Sequence, residues 1–264
     1  MSRTWVSAFW FILLVQLHLL FTDSHAQKKE KTKIDVLNSK YEIGDLIYSN
    51  PLRSKKDVEN FILEGKAEIT FANGRLNLNN KLDASLGQEA NYVFWCDVNF
   101  PDSILISFQF YPIYEPGLCV FFFSAKGING EDIFDNELNK REGEYRQYHH
   151  GDINTLYFSY FRRRKPETKA LAKCNLRKSF GHHIVAQGAD PIPSVEESIA
   201  PYLIQVVKYG EFVELFIDGL LILSWADDGE TYGEILSSGK IGFRQMSPTE
   251  AEYTNLRVER IIKK

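Results

Sequence analysis

From Phe61 onward, short apolar runs alternate with turns, and their period is that of strands rather than helices. Ala67 to Phe71 and Arg75 to Leu78 flank Asn73-Gly74, which predicts a hairpin because both residues tolerate the positive φ of a tight turn. Tyr92 to Cys96, Ile104 to Tyr111 and Leu118 to Ala125 are rich in aromatic and β-branched residues, punctuated by Pro101, Pro112 and Pro116. Ile104, Ile106, Phe108 and Phe110 point one way along their strand, and Ser107, Gln109 and Tyr111 the other. Leu118 to Ala125 is apolar on both faces, as in a central strand covered from both sides. In Asn154 to Arg163, the face of Thr155, Tyr157, Ser159 and Arg163 opposes that of Leu156, Phe158 and Tyr160. Ile184 to Gln187 reads as a short strand, and Ser194 to Glu197 as a capping box opening a single helical turn. Tyr202 to Tyr209, Phe212 to Ile217 and Leu220 to Trp225 form a meander with turns at Gly210 and Asp218-Gly219; Lys240 to Met246 and Glu252 to Val258 close the chain. So many short strands, without a long helical period, predict an all-β fold: a sandwich or jelly roll of two antiparallel sheets.

The N-terminus follows a different pattern. Arg3 supplies a positive start, Trp5 to Phe21 is nearly all apolar, and Ser24-His25-Ala26 places small residues before Gln27. This predicts a secretory signal over residues 1–26, cleaved before Gln27. The competing reading, an uncleaved anchor, has to accommodate Gln16 and His18 in a run slightly short of the ~20 residues that span a bilayer. A secreted or periplasmic mature chain with no membrane attachment is the expectation. Residues 27–60 read as a charged leader with the first elements, and residues 61–264 as one jelly-roll domain. The net charge of -4 leaves no footprint for duplex nucleic acid. Cys96, Cys119 and Cys174 form no CxxC pair; they allow one disulfide or stand as buried small hydrophobes.

The chemistry concentrates in Gly143 to Arg164, GEYRQYHHGDINTLYFSYFRRR, which mixes tyrosines and arginines with His149, His150 and Asp152. Aromatic rings suit sugar faces, and fixed polar groups suit hydroxyls and carboxylates. A buried strand needs none of this polarity, so the run points to a polar cleft.

The meander PYLIQVVKYGEFVELFIDGLLILSW, followed by GKIGFRQM and AEYTNLRVER, resembles the last strands of concanavalin A-like lectin/glucanase jelly rolls. The blocks NYVFWCDVNFPD, YPIYEPGLCVFFFSAKGINGEDIFD, GEYRQYHHGDIN, SYFRRR, CNLRKSFGHHIVAQGADPIPSVEES and DDGETYG resemble the YesU-like bacterial family of unknown function, over most of Asn91 to Val258. That resemblance implies the concanavalin A-like jelly roll and, by association with pectin-degradation genes, a carbohydrate setting. It carries no established reaction, and a fold shared by lectins, hydrolases and lyases does not choose among them.

The glucanase branch of the fold places catalytic carboxylates on one strand in an E-x-D-x-E spacing, which this sequence lacks. A hydrolase would have to assemble a pair about 5–9.5 Å apart from loop residues such as Glu115, Asp132, Asp152 or Asp190. A lyase needs a Tyr or His base and groups that neutralise a uronate carboxylate. The expected catalytic set is His149, His150, Tyr148 and Arg163; the expected substrate-binding set is Gln109, Asp152, Tyr157, His183, Gln187 and Arg244. Arg244 joins because Ile241 and Phe243 should face the core, leaving it opposite. No metal or cofactor is assigned. His149, His150 and Asp152 do not share one direction on a strand, and Asp227-Asp228-Gly229-Glu230 is only a fragment of a calcium loop, although lectins of this fold often carry structural calcium. The expected partner is a uronate-containing polysaccharide or oligosaccharide of pectic, rhamnogalacturonan or algal type, cleaved by a hydrolase or lyase, or bound without cleavage by a lectin-like module.

Overall fold

The computed structural model describes residues 36–163 and 172–264. The signal segment 1–26 and the Arg164-Lys165 end of the basic run lie outside the described residues.

Two antiparallel sheets form the sandwich. In spatial order the first holds β13 (Leu220–Ala226), β12 (Phe212–Ile217), β11 (Tyr202–Tyr209), β6 (Ile104–Tyr114), β15 (Glu250–Lys263), β4 (Leu76–Asn80) and β3 (Ala67–Thr70), with β1 (Tyr41–Asn50) also paired to β15. The second holds β10 (His183–Ala189), β9 (Lys173–Lys178), β8 (Ile153–Arg163), β7 (Gly117–Gly127), β14 (Gly239–Met246), β5 (Tyr92–Phe100) and β2 (Phe61–Gly65). The jelly-roll expectation therefore holds, and the meander falls where its alternation placed it. The domain begins earlier than Phe61: Tyr41 to Asn50 lies against residues 256–263 of the last strand. The Asn73-Gly74 turn joins β3 to β4, with φ of 57° and 66°.

The main core lies between the sheets. Phe108 from the first sheet meets Phe121 at 4.9 Å and Phe243 at 5.2 Å from the second, so aromatic burial, about 1.5–3 kcal/mol per side chain, clamps the layers together. All three cysteines are buried here as free thiols, so no disulfide forms. A second apolar cluster covers the outer face of the second sheet, where Val93, Trp95, Val120, Phe122 and Tyr157 meet Ile133 and Tyr148 from the 128–152 loop. This is why β7 is apolar on both sides: Phe121 and Phe123 face the main core, Val120 and Phe122 the loop. Among the described residues no helix is long and apolar enough to cross a membrane.

Candidate functional site

The outer face of the second sheet carries the polar chemistry, and strand register fixes its layout. Across the strands, Gln187 pairs with Asn175, Asn175 with Ser159, Ser159 with Val120, Val120 with Arg244, Arg244 with Val93 and Val93 with Glu64. The neighbouring row runs Arg177, Tyr157, Phe122, Gly242, Trp95 and Ile62. Because alternate side chains share a face, both rows look outward. Gly242 is required there: a Cβ would stand 2.5 Å from Trp95 Cε3, so only glycine lets the indole lie flat on the sheet.

The 128–152 loop is fastened over one end of this face by Glu64. Its Oε2 accepts from Trp95 Nε1 at 2.8 Å and from the Tyr148 hydroxyl at 2.9 Å, and its Oε1 pairs with Arg141 Nη2 at 2.7 Å. Arg141 also donates to Ile133 O at 2.6 Å. Asp152 closes the loop by accepting from Asn139 N and Nδ2, with Arg141 at 3.7 Å. This network fastens the loop to the sheet, with Arg141 Nη1 left without a hydrogen-bond partner among the described residues.

Tyr145 is the centre of the site. It sits in a short 3-10 turn, Tyr145–Tyr148, which tips its ring back over the sheet. Its centroid lies 4.7 Å from the Arg244 guanidinium carbon, 5.9 Å from the Tyr157 ring, 4.9 Å from His149 and 5.1 Å from His182. Its hydroxyl is 3.2 Å from His182 Nε2. Burial raises the Tyr145 pKa, and the positive charges of Arg244, Arg177 and Arg162 offset part of that rise. Arg244 is fully buried and spends Nη2 on Gln88 Oε1 at 3.1 Å and Gly143 O at 3.2 Å. Its Nε and Nη1 have no hydrogen-bond partner, and no carboxylate pairs with it, among the described residues. Burial lowers its pKa, yet a guanidinium stays charged, so an uncompensated cation lies beneath the tyrosine.

His149 and His182 stack at 4.5 Å, 14° from parallel. Burial, reinforced by neighbouring imidazole and arginine charges, lowers both from the ordinary 6.5 to about 4. Both are therefore neutral at pH 7 and able to accept a proton. Gly181 N donates to His149 O at 2.6 Å, which ties the 179–182 turn to the loop.

The structure brings His149, Tyr157 and Arg244 together, with Gln187 on the same face several strands away. His150 lies beside His149, its Nδ1 against the His149 Nδ1, on the outer side of the loop. Five expected site residues do other work. Tyr148 is fully buried on Glu64, with its pKa well above the usual tyrosine value through burial, so it fastens the loop instead of meeting a ligand. Asp152 is a loop latch. Gln109 belongs to the first sheet, where it accepts from Thr254 Oγ1 and Asn255 Nδ2, both at 2.9 Å. Arg163 pairs with Glu115 at 3.6 Å and Asp190 at 3.8 Å at the far end of β8, roughly 33 Å of strand from Ile153 at ~3.3 Å per residue. The cause is a bulge. Phe161 has φ of 47° and joins Tyr160 in the core, which reverses the facing of the residues that follow. Arg162, by contrast, is one of the arginines whose charge lowers the Tyr145 pKa. His183 is exposed and packs its ring 4.7 Å from Tyr232, away from Tyr145. Tyr145, His182, Arg162, Arg177 and Glu64 are the residues that strand alternation missed; Tyr145 lay within the aromatic run that signalled the cleft.

The residues considered for cations are otherwise engaged. Asp227 pairs with Lys178 at 2.6 Å, and Asp228 accepts from Glu230 N, Thr231 N and Thr231 Oγ1. Among the described residues no group of three or more His, Cys, Asp or Glu side chains converges on one point.

A family model described as a domain of unknown function (DUF1961) matches residues 45–258. The uncharacterized protein YesU of Bacillus subtilis (strain 168) is 48% identical over 224 residues, covering 85% of this chain and 100% of that protein. A crystal structure of a Bacillus subtilis protein of unknown function with a galectin-like fold aligns with a TM-score of 0.81 at 48% identity, over 85% of this chain and 100% of the other. The metal-free form of lectin I-B4 from Griffonia simplicifolia aligns with a TM-score of 0.51 at 13% identity, over 80% and 98% of the two chains, and shares the fold alone.

Proposed function

The chain belongs to the DUF1961 family, and we propose that it cleaves uronate-bearing polysaccharide by β-elimination at the Tyr145 face of its second sheet, outside the cell after loss of residues 1–26. The observation that carries this reading is the fully buried Arg244 guanidinium 4.7 Å from the Tyr145 ring, with no carboxylate paired to it among the described residues, and with Arg162 and Arg177 adding positive charge that lowers the Tyr145 pKa. Such a face favours an anion, and guanidinium groups suit a carboxylate.

A carboxylate neutralised there acidifies the proton on the adjacent carbon. A neutral imidazole, His149 or His182, takes that proton, the C–O bond at the β carbon breaks, and a carbon–carbon double bond forms. Tyr145, protonated because burial raises its pKa, supplies the proton that the leaving oxygen needs. Hydrolysis is less well served: Glu64, a carboxylate on this face, is fully engaged by Trp95, Tyr148 and Arg141.

The test is to incubate the protein with pectic, rhamnogalacturonan and algal polysaccharides, following ultraviolet absorbance and new reducing ends together. Elimination raises both signals. Reducing ends without absorbance would replace the lyase reading with a hydrolase. A mobility shift in affinity electrophoresis with neither signal would leave a lectin-like binder.

A further inference from the structure

Beside the histidine wall, a cleft of about 770 Å³ opens between the 127–130 turn, the 179–183 turn and the 231–238 loop. That volume is in the range of ligand clefts, about 300–1,000 Å³. Its shape is held from below, because buried Lys178 donates to Asp227 Oδ2 and to Gly233 O, each at 2.6 Å, and so pins the 227–233 loop to β9. Two aromatic surfaces line it. Phe180 is 52% exposed, and Tyr232 packs against His183 with ring centroids 4.7 Å apart. Asn154 lines the same cleft, and its buried Oδ1 has no hydrogen-bond partner among the described residues. Flat apolar surfaces beside an unpaired acceptor match the C–H face and the hydroxyls of a sugar ring.

A chain of side-chain contacts also links the cleft to the Tyr145 face. From Arg244 the contacts pass to Tyr145 at 4.7 Å, His149 at 4.9 Å, His150 at 4.5 Å and Phe180 at 5.4 Å. We infer that this cleft is a second saccharide subsite, holding sugar units of the same chain beyond the one bound at Tyr145, with Phe180 and Tyr232 as stacking platforms and Asn154 as a hydroxyl acceptor. The inference rests on the glycan reading above and adds to it that the ligand is a polymer longer than a disaccharide.

The test is isothermal titration of the Tyr145→Phe protein, used to suppress turnover, with oligogalacturonides and alginate oligosaccharides from disaccharide to octasaccharide, and with neutral galactan oligosaccharides of the same lengths. Affinity for the uronate series should rise about tenfold or more past the disaccharide. Adding Phe180→Ala or Tyr232→Ala should remove about fivefold to tenfold of that gain, as lost ring stacking would, and leave disaccharide affinity unchanged. A flat length profile, or a gain indifferent to both substitutions, would overturn the subsite and leave the uronate reading standing. Phe180-dependent binding of the neutral series alone would keep the cleft as a saccharide site and overturn the uronate reading. Binding of neither series would overturn both.

Discussion

The Tyr145 ring lies over the Arg244 guanidinium, 4.7 Å from its carbon to the ring centroid. The arginine beneath it is fully buried and has no carboxylate partner among the described residues. A buried charge without a counterion normally costs several kcal/mol, and the carboxylate proposed above would supply the missing charge. Replacing it with an apolar side chain of similar length should separate stability from function. For Arg244→Met, the unfolding free energy from urea titration should move by no more than about 1 kcal/mol, because losing the uncompensated charge offsets the hydrogen bonds to Gln88 and Gly143. Affinity for an anionic glycan should fall about 10–100-fold, the scale of a charge-assisted hydrogen bond. A large loss of stability with unchanged affinity would make Arg244 a structural residue only.

Arg163 should behave in the opposite way. Its pairs with Glu115 and Asp190 keep a carboxylate compensated at the far end of β8, where burial raises the Asp190 pKa and Arg163 lowers it. Arg163→Ala should cost about 2–3 kcal/mol in urea unfolding, as expected for a charged group stripped of its partner, and leave glycan affinity and turnover at wild-type values. Lost turnover in a variant of native stability would return Arg163 to the site.

Glu64 fastens the 128–152 loop through Trp95, Tyr148 and Arg141. Glu64→Leu should leave Arg141 buried without its carboxylate and destabilise the fold by about 3–5 kcal/mol. Chemical denaturation measures this directly, and a loss under about 1 kcal/mol would show that the loop is held by its apolar contacts instead.

Acid should weaken the protein through the stacked imidazoles. His149 and His182 are held at about 4 when folded, against an ordinary 6.5, so between these values the unfolded chain binds protons that the folded chain does not. Their contribution is complete above pH 6.5 and disappears as pH falls toward 4. The histidine ring signals in a magnetic resonance titration should show two midpoints near 4. His182→Gln should lessen the stability lost between pH 7 and pH 4.5. Midpoints near 6.5 for both rings, with an unchanged acid profile in the variant, would contradict this.

The sandwich was legible because strand alternation reports burial directly. The meander strands Tyr202–Tyr209 and Phe212–Ile217, a third read as Leu220 to Trp225 that ends one residue later at Ala226, and the doubly apolar β7 followed from side-chain period and the turn glycines. The site was legible in part, and its misplacements have specific causes. Alternation put Gln109 correctly on an outward face, but one strand's pattern does not say to which sheet it belongs. The bulge at Phe161 exchanged the facing of Arg162 and Arg163, and nothing in SYFRRR marks a positive φ at a phenylalanine. Tyr145 and Tyr148 sit three apart in one 3-10 turn: Tyr148 is driven down onto Glu64 and Tyr145 is left above Arg244, a division that depends on a glutamate more than 80 residues upstream, from Glu64 to Tyr148.

Carboxylate recognition at the Tyr145 face is tested most directly by a matched pair of ligands. Polygalacturonan and the same polymer with its carboxyl groups reduced to alcohols differ only in charge and the oxygens that carry it. Binding by affinity electrophoresis, at low and at moderate salt, should show retardation by the acidic polymer, weakened by salt as a charge contact must be. The reduced polymer should give little retardation, and Arg244→Met should lose the difference between the two. Equal retardation by both polymers, unaltered in Arg244→Met, would contradict carboxylate recognition at this face.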